Sequence, residues 1–370
     1  MKNSIQIGPS DTINAFLLFF IIHTAQIGIG IQGFQRIIYQ DAKHDAWISV
    51  LLAGLFTHIV AIFMLKTLEI YGSNDLYGIH QDVFGKWIGN FFNIIYILYC
   101  SVAFFAVLRN YIEVVQTWVF PDLDTWFLAA TLLLIVIYTF TGGLRVIVGV
   151  SFFSFVLSMW LYPLLAYPMK YLEPRSLLPI LESNMSGILK GVKSMTFTII
   201  GFEILYVIYP FVKDKKNAKK HIHLGLFATT LIYLAVMLVA LMYFSGEQLK
   251  KTIWATLSLF SIIEFPFIER FEYIAVCFWM LIILPNLCLF LWAAFRGTRR
   301  LVKVSANKFV WVFSFIILIV SLMFKTRPQI NTLNNYYGQV AFYIVFVYPI
   351  ILYVLAVAKK KFKSRKEQIE

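Results

Sequence analysis

Apolar residues run along this chain in long blocks, separated by short polar or basic connections. The blocks fall at about 12–35, 46–66, 86–118, 125–141, 145–168, 193–212, 223–244, 270–295, 309–324 and 337–357. A helix needs about 20 apolar residues to cross the hydrocarbon core. In lipid, only helices and closed barrels satisfy their own backbone. No block shows the ten-residue alternation of a barrel strand. The pattern therefore predicts an all-α polytopic membrane protein with ten transmembrane helices. No composition shift marks a second domain, so 1–358 is expected to be a single ten-helix domain and 359–370 a basic cytoplasmic tail. Residues 67–86 read as an amphipathic segment along the inner face, and 170–192 and 246–269 as the longer outer connections.

Composition agrees with a membrane setting. The 370 residues are 60% hydrophobic and only 14% charged, against about 25% charged in soluble chains. The net charge is +13. An even number of spans puts both ends on one side. With the ends inside, 20 of the 32 Lys and Arg fall on the cytoplasmic side, as the positive-inside rule requires. The basic residues sit in short clusters between apolar runs, which argues against nucleic-acid binding. The tail "KKKFKSRKEQIE" reads as a positive-inside stop that attracts anionic membrane lipid. Cys100, Cys277 and Cys288 lie inside apolar runs and read as small buried hydrophobes. The histidines show no zinc spacing, and no nucleophile–base set stands out. No enzyme activity, metal or cofactor is expected, and no cleavable signal peptide.

The stretch "GIGIQG", Gly28 to Gly33, spells G-x-G-x-x-G. A dinucleotide turn needs a strand before it and an acid about 20 residues later. Here a membrane-like helix precedes, and "SVLLAGLFTHI" follows with no acid. Glycine costs roughly 1 kcal/mol relative to Ala inside a helix, so three in six residues, with Gln26, Gln32 and Gln35 around them, weaken the first span in its interior. Two readings stand. One is close helix packing through small residues, although the spacing does not form one face. The other is a broken helix whose freed backbone lines a binding cavity. The second reading predicts a partner break in the sixth span of a five-plus-five inverted repeat. That span, "SMTFTIIGFEILYVIYPFV", carries Gly201, Glu203 and Pro210.

Other polar residues within spans divide between site and scaffold. An acid inside a membrane faces a cavity or a partner, so Glu203 is either a ligand-amine, cation or proton site or a buried acid bonded to helix ends. Arg109 and Glu113 stand at i and i+4, close enough for a structural or gating salt bridge. Pro285 breaks a helix hydrogen bond in span eight, and Asn286 is placed to satisfy the freed groups. Tyr96 and Tyr99 are candidate cavity walls or plain core.

The runs "GIGIQGFQR" followed by "DAWISVLLAG", then "GFEILYVIYPFVKDKKNAKKH" and "WATLSLFSIIEFPFIERFE", resemble the B subunits of bacterial spore germinant receptors, a spore germination permease family within the amino acid–polyamine–organocation superfamily. The resemblance spans essentially the whole chain. It implies a five-plus-five inverted-repeat fold with broken helices 1 and 6, and a role in sensing a small germinant, commonly an amino acid, in the spore inner membrane. It also implies partnership with A-type and C-type receptor subunits. In the wider superfamily a ligand carboxylate meets freed N–H groups of helix 1, and the amine meets freed carbonyls of helix 6. On matching positions this nominates Gly28 and Gly30, then Gly201, Phe202 and Glu203. Two departures stand out: "FQR" replaces the family's Leu-Pro-Arg, and "VIVGVSFFSF" lacks the family's Arg and acid early in span five. The rival expectation is an amino acid transporter of the same superfamily, proton-coupled or uncoupled. Residues 269–295 contain no Ser or Thr for sodium ligation.

Overall fold

The structure is a computed structural model. Its described residues are 8, 11–72, 74–266 and 269–367, the last four of them for backbone alone. The expectations for residues 1–7 and 368–370, including Lys2 and the end of the tail, lie outside these.

The described residues form helices joined by turns and loops, and an isolated parallel bridge pairs Ile13 with Val212. In order, the helices are α1 (Leu17–Gln26), α2 (Phe34–Ala42), α3 (Ala46–Tyr71), α4 (Leu76–Phe84), α5 (Lys86–Trp118), α6 (Thr125–Thr141), α7 (Leu144–Ser158), α8 (Met185–Ser194), α9 (Thr196–Ile199), α10 (Leu205–Ile208), α11 (Lys215–Tyr243), α12 (Gly246–Lys251), α13 (Ala255–Phe260), α14 (Phe271–Leu301), α15 (Ala306–Met323), α16 (Arg327–Ala341) and α17 (Tyr348–Glu367). A π-helical turn, Phe342–Val347, joins the last two.

Seven helical stretches among the described residues are long and apolar enough to cross a membrane. Leu17–Gln26, Thr125–Thr141 and Phe202–Phe211 are shorter apolar helices. Two of the three are short because a span is interrupted. The third has 17 residues, about 25 Å of helix. These helices are apolar nearly all round, as expected where one face meets lipid and the other a protein core. Trp87, Leu98, Tyr138, Phe315 and Met323 are exposed, whereas α14 is buried along most of its length. α14 packs along α5 and α7, and α1 lies between α7, α11 and α14.

The stretch 67–86 is not one segment but is divided among α3, α4 and the start of α5. α3 continues to Tyr71, and α4 buries Leu76, Tyr77 and Ile79 against α5. Asp75 caps α4, accepting from the Gly78 N–H at 3.0 Å.

Span one stops as an α-helix at Gln26, passes through an extended Ile27, and resumes as a 3-10 turn, Ile29–Gln32, before α2. Span six stops at Ile199 and resumes at Phe202. Its break rests on Gly201, whose φ of +117° lies in the region that favours glycine. A Cβ on Gly201 would stand 2.0 Å from the Ala25 carbonyl oxygen, so the two breaks also touch here.

Gly201→Ala therefore combines backbone strain of about 1–3 kcal/mol with overpacking of about 1–3 kcal/mol. Gly72→Ala, at φ +64° with nothing within 4 Å of the added carbon, meets only the left-handed penalty of about 1–2 kcal/mol. Thermal unfolding of the detergent-solubilised variants should rank Gly201→Ala well below Gly72→Ala. Equal melting temperatures would mean that the contact between the breaks is not tight.

Candidate functional site

Where an α-helix stops inside a membrane protein, carbonyls lose their partners four residues on. In this chain, side chains from other spans take them up. Asn286 Nδ2 on α14 donates to the Ala25 carbonyl at 2.8 Å. Trp279 Nε1, also on α14, donates to the Gly28 carbonyl at 3.2 Å. The Tyr233 hydroxyl on α11 is shared between the carbonyls of Gln26 and Thr198, 3.0 Å from each. Gln26 Nε2 crosses to the Ile199 carbonyl at 2.7 Å, joining span one to span six directly. Further out, the Thr256 hydroxyl donates to the Ile31 carbonyl at 2.6 Å and accepts from Gln35 Nε2 at 2.6 Å. On the N-terminal side, the Ile13 N–H donates to Phe211 O and the Lys213 N–H to Ile13 O, each at 2.9 Å.

Between the breaks lies a cavity of about 40 Å³, enough for one or a few waters. Small side chains form much of its wall: Ala25, Gly28, Gly30, Ala103 and Ala106. Gln26, Thr198 and Asn286 supply polar groups, and Phe197, Phe290 and Tyr337 supply rings. Among the described residues, none in this lining carries a formal charge. Ile29, Gly30, Phe197 and Thr198 also border a wider vestibule of about 500 Å³. The vestibule is polar and basic, with Arg36, Lys193, Arg327, Asn110, Asn331 and Asn334 in its wall. Asn110 and Asn334 bond each other through both amides, at 2.8 and 2.9 Å.

The nominated residues fall in three places. Gly28, Gly30 and Asn286 border the cavity. Gly201, Phe202 and Glu203 stand behind it. Glu203 is buried and accepts from the Tyr99 hydroxyl at 2.6 Å and from the Gly201 N–H at 2.7 Å, while the Tyr96 hydroxyl bonds its backbone carbonyl at 3.1 Å. Tyr96 and Tyr99 thus hold the restart of span six, and Phe202 packs on Phe346 of the π-helical turn. Arg109 and Glu113 stand apart from the cavity and do not pair as their spacing predicts. Glu113 pairs with Arg327 at 2.6 Å, and Arg109 Nε donates to the Phe324 carbonyl at 2.8 Å. Both go to α16 and its approach because those partners face α5 more directly than the next helical turn does. Pro285 stays within an unbroken α14, and Asn286 serves the break of span one rather than its own helix. Sequence reading did not single out Tyr233, Trp279 and Thr198. They sit in runs where aromatics and hydroxyls are common, so nothing local marks them. In the sequence Gln26 marks no more than a weak helix position.

The profile of a family described as "Spore germination protein" matches residues 12–330. This chain belongs to the spore germination protein family. Among its relatives, spore germination protein GerQB of Bacillus cereus is 38% identical over 358 residues, covering 97% of this chain and 99% of the relative. Spore germination protein YndE of Bacillus subtilis is 25% identical, covering 95% and 98%. Spore germination protein B2 of the same species is 23% identical, covering 92% and 94%. Among solved structures, a manganese transporter of Eremococcus coleocola superposes with a TM-score of 0.61 at 10% identity, over 95% of this chain and 81% of that one. A sodium-coupled sialic acid symporter gives 0.57 at 11%, over 93% and 76%. At these identities the likeness concerns the fold alone.

In this spore germination protein the side facing the chain's start is sealed below the cavity. Asp75, wholly buried, pairs with Arg300 at 3.0 Å and Arg296 at 3.7 Å. The Arg296 guanidinium stacks on Phe211, 5.1 Å from the ring centre, at the exit of span six. Tyr77 adds a hydrogen bond to the Ala293 carbonyl at 2.7 Å. Asp75→Asn removes the carboxylate that Arg296 and Arg300 share. Breaking a buried pair on one side costs about 3–5 kcal/mol, and thermal unfolding in detergent should show a loss of that order. Glu247→Gln, at an exposed pair with Lys250, serves as the control with no measurable change. An Asp75→Asn variant as stable as the control would deny the seal any weight.

Proposed function

We propose that this spore germination protein is the ligand-binding membrane subunit of a germinant receptor, and that the cavity between the two helix breaks is where a small germinant, an amino acid, docks. The observation that carries the reading is the pair of adjoining breaks at Gln26–Gly28 and Ile200–Gly201 around an uncharged cavity continuous with a vestibule. Interrupted helices place free peptide dipoles at membrane depth without a formal charge. A zwitterion is matched by such a site: its carboxylate by the N–H groups of Gly28 to Gly30 at the start of the outer half of span one, where the dipole is positive. The ten-span count, with spans one and six corresponding in a five-plus-five inverted repeat, belongs to this proposal and is supported by the fold neighbours. So do both termini in the cytoplasm, a basic tail against anionic lipid, and residence in the spore inner membrane. Assembly with A-type and C-type subunits follows the same family reading.

The cavity is smaller than an amino acid. Binding must therefore widen it, and the ligand favours whichever state of the protein has the wider site. The vestibule is open and the opposite side is sealed by Asp75, so the ligand enters through the vestibule, past Phe197 and Thr198. The second reading, a proton-coupled or uncoupled amino acid transporter, is supported by the fold shared with transporters.

Gly30→Val tests the site. A Cβ at Gly30 would already stand 3.1 Å from Thr198 Oγ1, and the two added methyls would occupy the narrow cavity. In spores whose only B-type subunit is this chain, amino acid-triggered loss of optical density should need at least a tenfold higher concentration, with unchanged protein on immunoblots. An unchanged response would remove the cavity from the mechanism. Uptake of labelled amino acid by proteoliposomes holding this chain alone would favour the transporter.

A further inference from the structure

The carbonyls that a broken helix would offer to a ligand's amine are already engaged by the protein. Ala25, Gln26, Gly28, Thr198 and Ile199 each accept from a side chain. Two of the donors are amides, and an amide has two ends. Gln26 spends its nitrogen on Ile199 and Asn286 spends its nitrogen on Ala25, which fixes the direction of each group. The other end of each is then an oxygen. Gln26 Oε1 and Asn286 Oδ1 are buried, with Gln26 2% and Asn286 3% exposed. Among the described residues, neither oxygen has a hydrogen-bond partner. Both residues line the same cavity. A buried acceptor left unmatched costs about 1–3 kcal/mol, and here two such acceptors belong to one small space with no charged residue in its wall.

We infer that Gln26 Oε1 and Asn286 Oδ1 are a paired acceptor for the donor end of the ligand, so that this site selects small molecules by their N–H or O–H groups through two neutral amides rather than through Glu203 or backbone carbonyls. The inference rests on the cavity being the ligand site. It assigns a role that the spacing of Asn286 after Pro285 did not suggest, and it gives Gln26 a function. Each amide does two jobs. Its nitrogen closes a helix break, and its oxygen reads the ligand. An ammonium, with three N–H groups, can serve both oxygens. A hydroxyl can donate to only one. A methyl or methylene leaves both unmatched. The carboxyl group of Glu203 is not available for this task in the same arrangement, since both of its oxygens are held by Tyr99 and Gly201.

The test compares ligands before it compares variants. Spores carrying this chain as the only B-type subunit are exposed to neutral L-amino acids, each alongside the corresponding α-hydroxy acid and the deaminated carboxylic acid. The expected order of potency is amine, then hydroxyl, then deaminated, with at least a tenfold step for each acceptor left unmatched. Equal potency within a series overturns the paired acceptor while leaving the cavity as the ligand site. No response to any member overturns the reading of the cavity, and this inference with it. Gln26→Met and Asn286→Leu then remove one oxygen each. Each should reduce the preference for the amine over the deaminated acid at least tenfold. A uniform loss for all ligands, with the preference retained, would show a purely structural role and overturn the assignment.

Discussion

A carbonyl released inside a membrane protein must find a donor, and this architecture is organised around that demand. Breaking two spans frees peptide groups where there is no bulk water to take them, and each unmatched group is expensive. The chain meets the demand with side chains from elsewhere: Tyr233 from α11, Asn286 and Trp279 from α14, and Gln26 across the gap. The positions of α11 and α14 beside the breaks are therefore constrained by hydrogen bonding as much as by packing. The small residues that allow close approach, Gly28, Gly30, Gly201 and the alanines of α5, matter because the donors must come within about 3 Å.

Most of the fold was legible in the sequence because lipid imposes a simple rule on length and polarity. The blocks at 86–118 and 125–141 coincide with α5 and α6 to the residue. The breaks were also legible, since "GIGIQG" and the Gly201–Glu203 segment are costly in a helix and gain nothing on a lipid-facing wall. The site was less so. Its walls depend on which face each span presents, and a sequence apolar on all sides does not say. Glu203 drew attention as an acid in a membrane span, yet its oxygens serve Gly201 and Tyr99. Arg109 and Glu113 satisfied a helical spacing rule that tertiary partners overrode, because Arg327 and the Phe324 carbonyl lie nearer to them than they do to each other. Asp75, Arg296 and Arg300 are far apart in sequence, and no local pattern connects them.

The two ends of the cavity differ in kind. Towards the vestibule the partition is thin, with Phe197, Thr198, Ile29 and Gly30 shared by both spaces. Towards the chain's start there is an ion-pair cluster, with Asp75 buried and its arginines partly buried, braced by Tyr77 and by Arg296 over Phe211. Such an arrangement is asymmetric in cost. Moving one aromatic side chain is a rotamer change, whereas separating Asp75 from its arginines exposes buried charge. Opening the cavity towards the vestibule is therefore the cheaper of the two movements.

The short parallel pairing of Ile13 with Val212 has a mechanical meaning. It fastens the entry of span one to the exit of span six. At its other end α1 is tied by Gln26 to Ile199, which lies before the break of span six, so this half-helix is tethered to one half of span six at its start and to the other half at its end. Any displacement that keeps both tethers intact moves α1 with the two halves of span six. A shift of either half of span six is therefore felt at the start or the end of α1, and the two breaks are mechanically joined through that one short helix.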